Sequence, residues 1–383
     1  MHTTRTQLTH PTTLAAIAAS LACLSFAHAT DRLVPSQYST IQAAINAAQT
    51  GDTVTVSPGL YREAIELTKS ITLQGDPSAE VADVVLTGTG VVGGAMLLGY
   101  TGSSYNGPVT IRHLTVDGQG VEEGTEDAGI AVYPLGAANS LLIEGCIFQD
   151  LHNGYSDGGA LWIATQSVVV RDCSFLRNRS TAHGAAIFAA HVENVTLAPI
   201  VERCVFRDHT FGTGTFRAEY DTHLVVRECV IGNSNWLCAN WQFGTVTFTN
   251  NIGCLIGALS NGGYVDGGNN NWAGPCPDCD SNGKLDLEEI LFGGADCNGN
   301  DLLDACEVVD NPKLDGNGDG LIDECQCLAD VTGNGSVDAI DLAALMSSWG
   351  SNGSGEFDAD VTNDGVVNGA DLSVSLDGWG ACP

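Results

Sequence analysis

Five stretches of the sequence decide the fold: VTIRHLTV (109–116), LLIEGCIF (141–148), VVVRDCSF (168–175), PIVERCVF (199–206) and LVVRECVI (224–231). They begin 32, 27, 31 and 25 residues apart. When they are aligned, each column holds one class of residue. Self-similarity at a spacing of this size is the sequence sign of a repeat protein, in which each unit buries its apolar face against the next unit.

The apolar columns of this alignment predict two short strands joined by a corner. Columns one and three alternate with polar positions as in a strand, and so do columns six and eight. The alternation slips between columns three and six, so a corner is expected there. Column six holds Leu114, Cys146, Cys173, Cys204 and Cys229, and column eight holds Val116, Phe148, Phe175, Phe206 and Ile231.

The fourth column carries charges whose sign alternates from one repeat to the next: Arg112, Glu144, Arg171, Glu202 and Arg227. If the repeats stack as parallel strands about 4.8 Å apart, this column becomes an external ladder of opposite charges. Five unrelated strands of an antiparallel sandwich remain the alternative. A sandwich does not require the same residue class in several columns at once, so stacking is favoured.

A unit of 25–32 residues with several short strands and no helical period predicts an all-β parallel β-helix. At about 25 residues per coil, residues 30–272 give nine or ten coils. One exception is residues 39–49, where Ile41, Ala44, Ile45 and Ala48 follow a helical period. We expect a short helix there that caps the N-terminal end of the rod.

The opening of this region resembles the pectin-lyase-like right-handed β-helix proteins. The resemblance rests on YSTIQAAINAA (38–48), GDTV (51–54), PGLY (58–61), Glu63 and KSITLQG (69–75). It covers roughly residues 33–270 and implies a right-handed β-helix. The residue sets of pectinesterase-like and polygalacturonase-like active sites are not found in this sequence.

Charge excludes some classes of partner. The chain carries a formal net charge of −32, which argues against nucleic acid and anionic lipid as ligands. Residues 273–383 hold 18 Asp and 5 Glu but only two Lys, Lys284 and Lys313. A segment with this balance needs cations to stay folded.

The N-terminus indicates export. Residues 1–29 read as a secretory signal, with Arg5, an apolar run at 14–26 and a small-x-small cleavage site at 27–29. We therefore expect an extracellular or cell-surface protein, with disulfides permitted. Removal of Cys23 leaves 13 cysteines, so at least one thiol stays unpaired within the chain.

Five segments of the tail follow the calcium-loop pattern, with oxygen ligands at positions 1, 3 and 5, a backbone carbonyl at 7 and an acidic or amide side chain at 12. Hard oxygen ligands without His argue for Ca²⁺ rather than zinc or copper. The third loop ends in Gln326 in place of a carboxylate. The predicted ligands are Asp278, Asp280, Asn282, Lys284 and Glu289; Asp296, Asn298, Asn300, Leu302 and Glu307; Asp315, Asn317, Asp319 and Leu321; Asp330, Thr332, Asn334, Ser336 and Asp341; and Asp360, Thr362, Asp364, Val366 and Asp371.

The first three loops lie too close together for two-helix EF-hands. Residues 273–327 resemble thrombospondin type 3 calcium repeats, in which the chain winds around ions. Cys279 and Cys297 occupy loop position 2, while Cys306 and Cys325 occupy position 11, and all four are disulfide candidates.

The last two loops begin 30 residues apart, as do Trp349 and Trp379. Each loop is followed by Asp-Leu and an apolar stretch, so residues 328–383 predict a duplicated loop and helix. This segment resembles a type I dockerin, a module that plugs secreted polysaccharide-degrading proteins into a cohesin scaffold. Loop positions 10 and 11, where the family commonly has small hydroxyl residues, are Ala339-Ile340 and Gly369-Ala370 here. Cys327 and Cys382 are placed to clasp its ends.

Catalytic candidates on the rod are weak. Asp157 and His183 align 26 residues apart, and Asp208, Arg217 and Asp221 follow in the next coils. These carboxylates, with Arg217 as a base, would suit a polysaccharide lyase or a glycoside hydrolase. The alternative is that they are solvated turn residues. Aromatic residues for sugar stacking, or equally for core packing, are Trp162, Tyr220, Trp236 and Trp241.

Two functions fit these observations. The first is a secreted calcium-binding β-helix protein that binds or helps process extracellular polysaccharide and is attached through its dockerin-like tail to a cohesin-like or cell-surface scaffold. The second is a polysaccharide-degrading enzyme. The lack of a recognisable catalytic set favours the first.

Overall fold

The computed structural model describes residues 29–88, 95–98, 107–119, 129–132, 140–153, 158–164, 167–181, 183–190, 197–209, 214–241, 244–260, 262–274, 278–300, 302–315, 322, 327–353 and 359–381. The predicted signal lies almost wholly outside these residues. None of the helices in the described part of the chain has the length and apolar composition needed to cross a bilayer.

The rod is a right-handed parallel β-helix, as predicted, and it has three faces. Its first face is a ten-stranded parallel sheet, which matches the expected nine or ten coils. Its strands are β1 (Asp31–Val34), β2 (Thr53–Val56), β5 (Thr72–Gly75), β8 (Pro108–Arg112), β11 (Ser140–Glu144), β15 (Ser167–Arg171), β19 (Ile200–Glu202), β22 (His223–Arg227), β24 (Thr245–Thr249) and β26 (Tyr264–Asp266).

The second and third faces are joined near the C-terminal end by long strands and form one fifteen-stranded sheet. The second face holds β3 (Gly59–Arg62), β6 (Val84–Thr87), β9 (Thr115–Asp117), β12 (Ile147–Gln149), β16 (Ser174–Leu176), β20 (Val205–Arg207) and β27 (Asn271–Gly274). The third face holds β4 (Ile65–Leu67), β7 (Met96–Leu98), β10 (Ile130–Val132), β14 (Leu161–Ile163), β18 (Ile187–Ala189) and β21 (Phe216–Glu219). The joining strands are β23 (Val230–Trp241) and β25 (Ile252–Ser260).

The predicted corner lies at the fifth column of the alignment. Every residue there has a left-handed backbone, a conformation that turns the chain between the first and second faces. The φ values are 55° at His113, 57° at Gly145, 54° at Asp172, 49° at Arg203 and 55° at Glu228. Asn250, the equivalent residue of the next coil, has a φ of 56°.

The core consists of stacked side chains from successive coils. Phe148, Phe175 and Phe206 stack with ring centroids 4.8 and 4.7 Å apart. The column of Cys146, Cys173, Cys204 and Cys229 is buried and carries free thiols. The thiols therefore act as small apolar packing groups, as expected.

The charge ladder is present in part. Arg171 Nε donates to Glu144 Oε1 at 2.7 Å, and Arg227 Nε donates to Glu202 Oε2 at 3.0 Å. The structure differs from the expectation at Arg112, whose Nε donates a hydrogen bond to Gln74 Oε1 at 2.8 Å. The pairing with Gln74 of the preceding coil replaces the predicted pairing with Glu144.

The N-terminal cap is α1 (Ile41–Ala47), which packs against β1, β2 and β4. Glu63 accepts hydrogen bonds from the backbone N–H groups of Ile41 and Gln42 at its start. Lys69 donates to the carbonyls of Ile45, Asn46 and Ala48 at its end, so both helix termini are satisfied.

The tail is built from short helices that follow the acidic loops: α2 (Asp286–Leu291), α3 (Asp304–Asp310), α4 (Ala339–Ser347) and α5 (Gly369–Asp377). Two short pairs of strands complete the fold: β13 (His152–Asn153) with β17 (Arg179–Ser180), which are parallel, and β28 (Ser336–Val337) with β29 (Gly380–Ala381), which are antiparallel.

Candidate functional site

The first acidic loop wraps its side chains inward. The backbone N–H of Asn282 donates to Asp278 Oδ1 at 3.0 Å and to Asp280 Oδ1 at 3.1 Å. Asn282 Nδ2 donates to Glu289 Oε1 at 2.9 Å. The predicted ligands at positions 1, 3, 5 and 12 are thus linked through Asn282, and the N–H of Lys284 at position 7 bonds to Asn282 Oδ1.

The second loop repeats this geometry. The N–H of Asn300 donates to Asp296 Oδ1 at 3.0 Å and to Asn298 Oδ1 at 3.1 Å. Asn298 and Asn300 donate through Nδ2 to the two carboxylate oxygens of Glu307, at 3.0 and 2.7 Å. The N–H of Leu302 bonds to Asn300 Oδ1. Of the third loop, Asp315 is described, whereas Asn317, Asp319 and Leu321 lie outside the described residues.

The last two loops have a different final ligand. Asp341 Oδ1 accepts from Thr332 Oγ1 at 2.7 Å, and its Oδ2 accepts from the N–H of Asp338. Asp371 stands in the same relation to Thr362 and Asn368. Both residues thereby complete capping boxes at the starts of α4 and α5, so the loop and the helix form one unit.

The first ligands of these two loops are also gathered. The N–H groups of Asn334 and Gly335 donate to Asp330, while those of Asp364 and Gly365 donate to Asp360. At position 7, the N–H groups of Ser336 and Val366 bond to Asn334 Oδ1 and Asp364 Oδ1.

Hydrogen bonding governs the protonation of the two final carboxyls. Burial acts to raise the pKa of Asp341, but the hydrogen bonds from Asp338 and Thr332 outweigh it, so the pKa is lowered. The pKa of Asp371 is lowered in the same way, against burial, by Asn368 and Thr362. Both side chains are therefore carboxylates at neutral pH, the form that binds a cation.

The loops also share a backbone feature that sequence reasoning missed. Position 4 is left-handed in each of the four described loops, with φ of 58° at Ser281, 69° at Gly299, 67° at Gly333 and 52° at Asn363. Position 6 is left-handed as well where it is a glycine, with φ of 86–89° at Gly283, Gly335 and Gly365. The signal at position 4 was its restriction to Ser, Gly and Asn, of which Gly and Asn favour this conformation.

The donor set fits calcium. The gathered atoms are carboxylate, amide and hydroxyl oxygens, the hard ligands that Ca²⁺ prefers. Glu289 Oε2 is buried and has no hydrogen-bond partner among the residues that the structure describes. A carboxylate oxygen in that position needs a cation or a donor.

One disulfide crosses the first two loops. Cys279, at position 2 of the first loop, is bonded to Cys306, at position 11 of the second. This disulfide therefore joins a cysteine at loop position 2 to one at loop position 11, not two cysteines at the same loop position. Cys297 and Cys327 are also disulfide-bonded, whereas Cys325 and Cys382 lie outside the described residues.

The catalytic candidates do not form one cluster among the described residues. Asp157 lies outside them, and the carbonyl of His183 accepts from the N–H of Gly158 at 3.0 Å, in line with the predicted stacking of these coils. Asp208 Oδ1 accepts from Asn233 Nδ2 at 2.6 Å. Arg217 Nη2 is held by Glu219 Oε1 at 2.8 Å, while Asp221 lies exposed in a turn.

Arg217 belongs to an aromatic patch on the outside of the third face. It lies in register with Phe188, and Phe188 with Trp162, on neighbouring strands. The guanidinium carbon of Arg217 is 5.8 Å from the centre of the Phe188 ring. Trp162 is half-buried against Phe188, and Tyr220 and Trp236 are exposed. The side chain of Trp241 lies outside the described part of the structure.

His209, beside Asp208, is a packing group. Its Nδ1 lies 3.1 Å from the carbonyl oxygen of Asn178, and its ring packs near Phe206. Burial lowers the pKa of His209 to about 4, although the hydrogen bond to Asn178 opposes this shift. The ring is therefore neutral at pH 7 and belongs to the interior of the rod.

Comparison with known protein families gives a match near the C-terminal end of the chain. The profile of the Dockerin type I domain matches residues 328–374. This segment is a small part of the 383-residue chain, so the match describes the module alone. No curated protein matches the chain.

Three pectin methylesterases are among the solved structures that are similar to this chain. A pectin methylesterase from Aspergillus niger is 15% identical, with a TM-score of 0.38, over 64% of this chain and 85% of its own. The pectin methylesterase from carrot is 14% identical, with a TM-score of 0.40, over 62% and 87%. The rice weevil pectin methyl esterase is 12% identical, with a TM-score of 0.39, over 65% and 83%. Similarity at this level carries no inference about activity.

Calcium is expected to stabilise the tail. Scanning calorimetry with excess calcium should show a tail transition at higher temperature than with chelator, since a ligand at 100 times its Kd stabilises by about 2.7 kcal/mol. Asp360→Asn should lower that transition in calcium, because it weakens a first ligand. Asp377→Asn, which changes an exposed carboxylate at the end of α5, is the matched control. An unfolding profile that is the same with calcium and with chelator would contradict calcium binding by the tail.

Proposed function

We propose that this chain is an exported, calcium-binding protein whose β-helix binds or helps process extracellular polysaccharide. Its terminal module attaches it to a cohesin-like or cell-surface scaffold. The observation that carries the proposal is the duplicated loop and capped helix at α4 and α5, in the segment that matches the dockerin profile.

The proposed organisation has four parts. Residues 1–29 are a secretory signal, residues 30–272 the rod, residues 273–327 thrombospondin-like calcium repeats and residues 328–383 the dockerin-like module. The gathering of oxygen ligands in the four described loops supports Ca²⁺ as the bound ion.

For attachment, the exposed surface of α4 is the proposed contact. Ile340, at loop position 11, is 61% exposed although it is a large apolar residue. An apolar side chain held in solvent at the start of a capped helix suits burial by a protein partner. Ile340 therefore takes the place that a hydroxyl residue commonly takes in the family.

For polysaccharide, we propose Trp162 as the contact, supported from beneath by Phe188, which is only 3% exposed. Aromatic faces pack against the apolar faces of sugars, and Trp162 is the partly exposed member of the patch. The ion pair of Arg217 with Glu219 supports binding over catalysis, because an ion-paired guanidinium is a poor base. The carboxylates of Asp208 and Asp221 remain the candidates of the enzymatic alternative.

The attachment proposal predicts calcium-dependent binding to immobilised cohesin modules. Ile340→Ser should weaken binding by about tenfold, a loss of roughly 1.4 kcal/mol, because a buried apolar contact is lost. Val309→Ser, which changes an apolar residue that is 77% exposed outside the module, should leave binding unchanged. Absence of binding to every cohesin tested, with correctly folded protein, would contradict this part of the proposal.

The polysaccharide proposal predicts retention of the full chain by at least one polymer among polygalacturonate, alginate and sulfated glycans. Trp162→Ala should reduce retention, whereas Trp236→Ala, which changes an exposed tryptophan outside the cluster of Trp162 and Phe188, should not. The same mixtures are assayed for chain cleavage and ester release. Products that appear with the native protein and vanish in Asp208→Ala would establish the enzymatic alternative instead.

A further inference from the structure

A strip on the outside of the second face becomes apolar towards the end of the rod. On successive strands of this face, one outward-facing position is occupied in turn by Ile147, Ser174, Val205, Val230 and Ile252, which are paired in register. The last three form a continuous apolar strip, which we call the wall strip. Val205 and Val230 are nevertheless buried, at 0% and 5% exposure, so another part of the chain covers them.

The covering segment is the first calcium repeat. Leu287 of α2 is buried in one cluster with Val205 and Val230, and Leu285, Leu291 and Ile252 pack at its edge. Gly232 makes room for this contact, since a Cβ there would lie 2.9 Å from Leu285 Cδ1. The rod wall is therefore shaped to receive α2.

Polar contacts of Arg207 with the first calcium loop and α2 lie beside the apolar contact. Arg207 Nη1 donates to the carbonyl of Gly283 at 2.5 Å and lies 3.2 Å from Glu288 Oε2. The Arg207 and Glu288 side chains are 14% and 6% exposed, so the pair is largely withdrawn from solvent. A buried ion pair of this kind is costly to break on one side only.

The docking residues and the ligands of the first loop alternate along the chain. Gly283 binds the rod, Lys284 supplies loop position 7, and Leu285, Leu287 and Glu288 bind the rod again. Glu289 then supplies position 12, the carboxylate that closes the loop. One backbone conformation must serve both purposes, because no flexible segment separates the two sets of residues.

We propose that calcium binding in the first loop and docking of α2 on the wall strip form one linked equilibrium. Calcium thereby fixes how the acidic tail is mounted on the rod. When the ion is removed, the carboxylates of Asp278, Asp280 and Glu289 repel one another and the loop opens. Leu287 then leaves the wall strip, and Arg207 loses the carbonyl of Gly283.

Linkage is reciprocal. If calcium strengthens docking by some factor, then docking strengthens calcium binding in this loop by the same factor. A change on the rod wall, which touches no calcium ligand, must therefore weaken calcium binding in the first loop. This inference goes beyond attachment and polysaccharide binding, and it depends only on calcium as the ion.

Hydroxyl-radical footprinting of the full mature chain measures the exposure of α2 and of the wall strip in one experiment, because the extent of oxidation follows side-chain exposure. Chelator should raise oxidation of Leu287, Val205 and Val230 several-fold over the calcium-loaded protein. Asp278→Asn should do the same in calcium at a concentration that saturates the native loop. Asp360→Asn, the same change in the last loop, is the control variant and should not raise oxidation of Leu287, Val205 or Val230. Ile147, on the same face but outside the docked area, is the control residue, and its oxidation should not change with chelator.

The reciprocal arm uses Arg207→Gln. A calcium titration followed by oxidation of Leu287 should show its midpoint raised by about tenfold relative to native protein. Arg177→Gln changes a neighbouring arginine that pairs with Asp150 and does not touch the tail, so its midpoint should equal the native one. Circular dichroism checks that both variants keep the β-helix.

Two results would overturn the proposal. One is a wall strip that stays protected when chelator has exposed the first loop. The other is a calcium midpoint in Arg207→Gln equal to that in Arg177→Gln.

Discussion

Each coil of the rod has an apolar inner edge that only its neighbours can cover, and every other feature depends on this constraint. The stacked rings of Phe148, Phe175 and Phe206 and the thiol column meet it in the interior. Parallel pairing in exact register keeps equivalent residues above one another. In six successive coils, from His113 to Asn250, a left-handed residue makes the turn between the first and second faces.

The tail solves a different problem. Its acidic residues repel one another, and the segment is too polar to bury a large apolar core. Short helices are therefore tied to loops that gather oxygen atoms, as in the capping boxes of Asp341 and Asp371. The disulfide of Cys279 with Cys306 and the contact of Leu287 with the rod add the covalent and apolar support that the segment otherwise lacks.

The sequence was informative wherever a residue class recurs at a fixed place. The apolar columns, the corner, the coil number, the α1 cap and the duplicated loop and helix could all be predicted from such recurrence. The ladder partner of Arg112 could not, since Gln74 belongs to an earlier coil outside the aligned repeats. The same limit applies to α2 and the wall strip, because Leu287 and Val205 are distant in sequence. The calcium-loop pattern and the repeat that contain them predict a loop and a strand, but not the contact between the two. The pairing of Arg217 with Glu219 depends on which side of a strand faces outward, and the repeat pattern alone does not give this.

The most direct test of the stacked architecture is a pair of engineered disulfides on the first face. Leu142 and Val169 are neighbours in register, about 4.8 Å apart between coils, within the range that a disulfide spans. Leu142 and Ile200 are two coils apart. Mass spectrometry of oxidised protein should find the bond in Leu142→Cys with Val169→Cys and not in Leu142→Cys with Ile200→Cys. A bond between positions 142 and 200, or none between 142 and 169, would contradict coil-on-coil stacking.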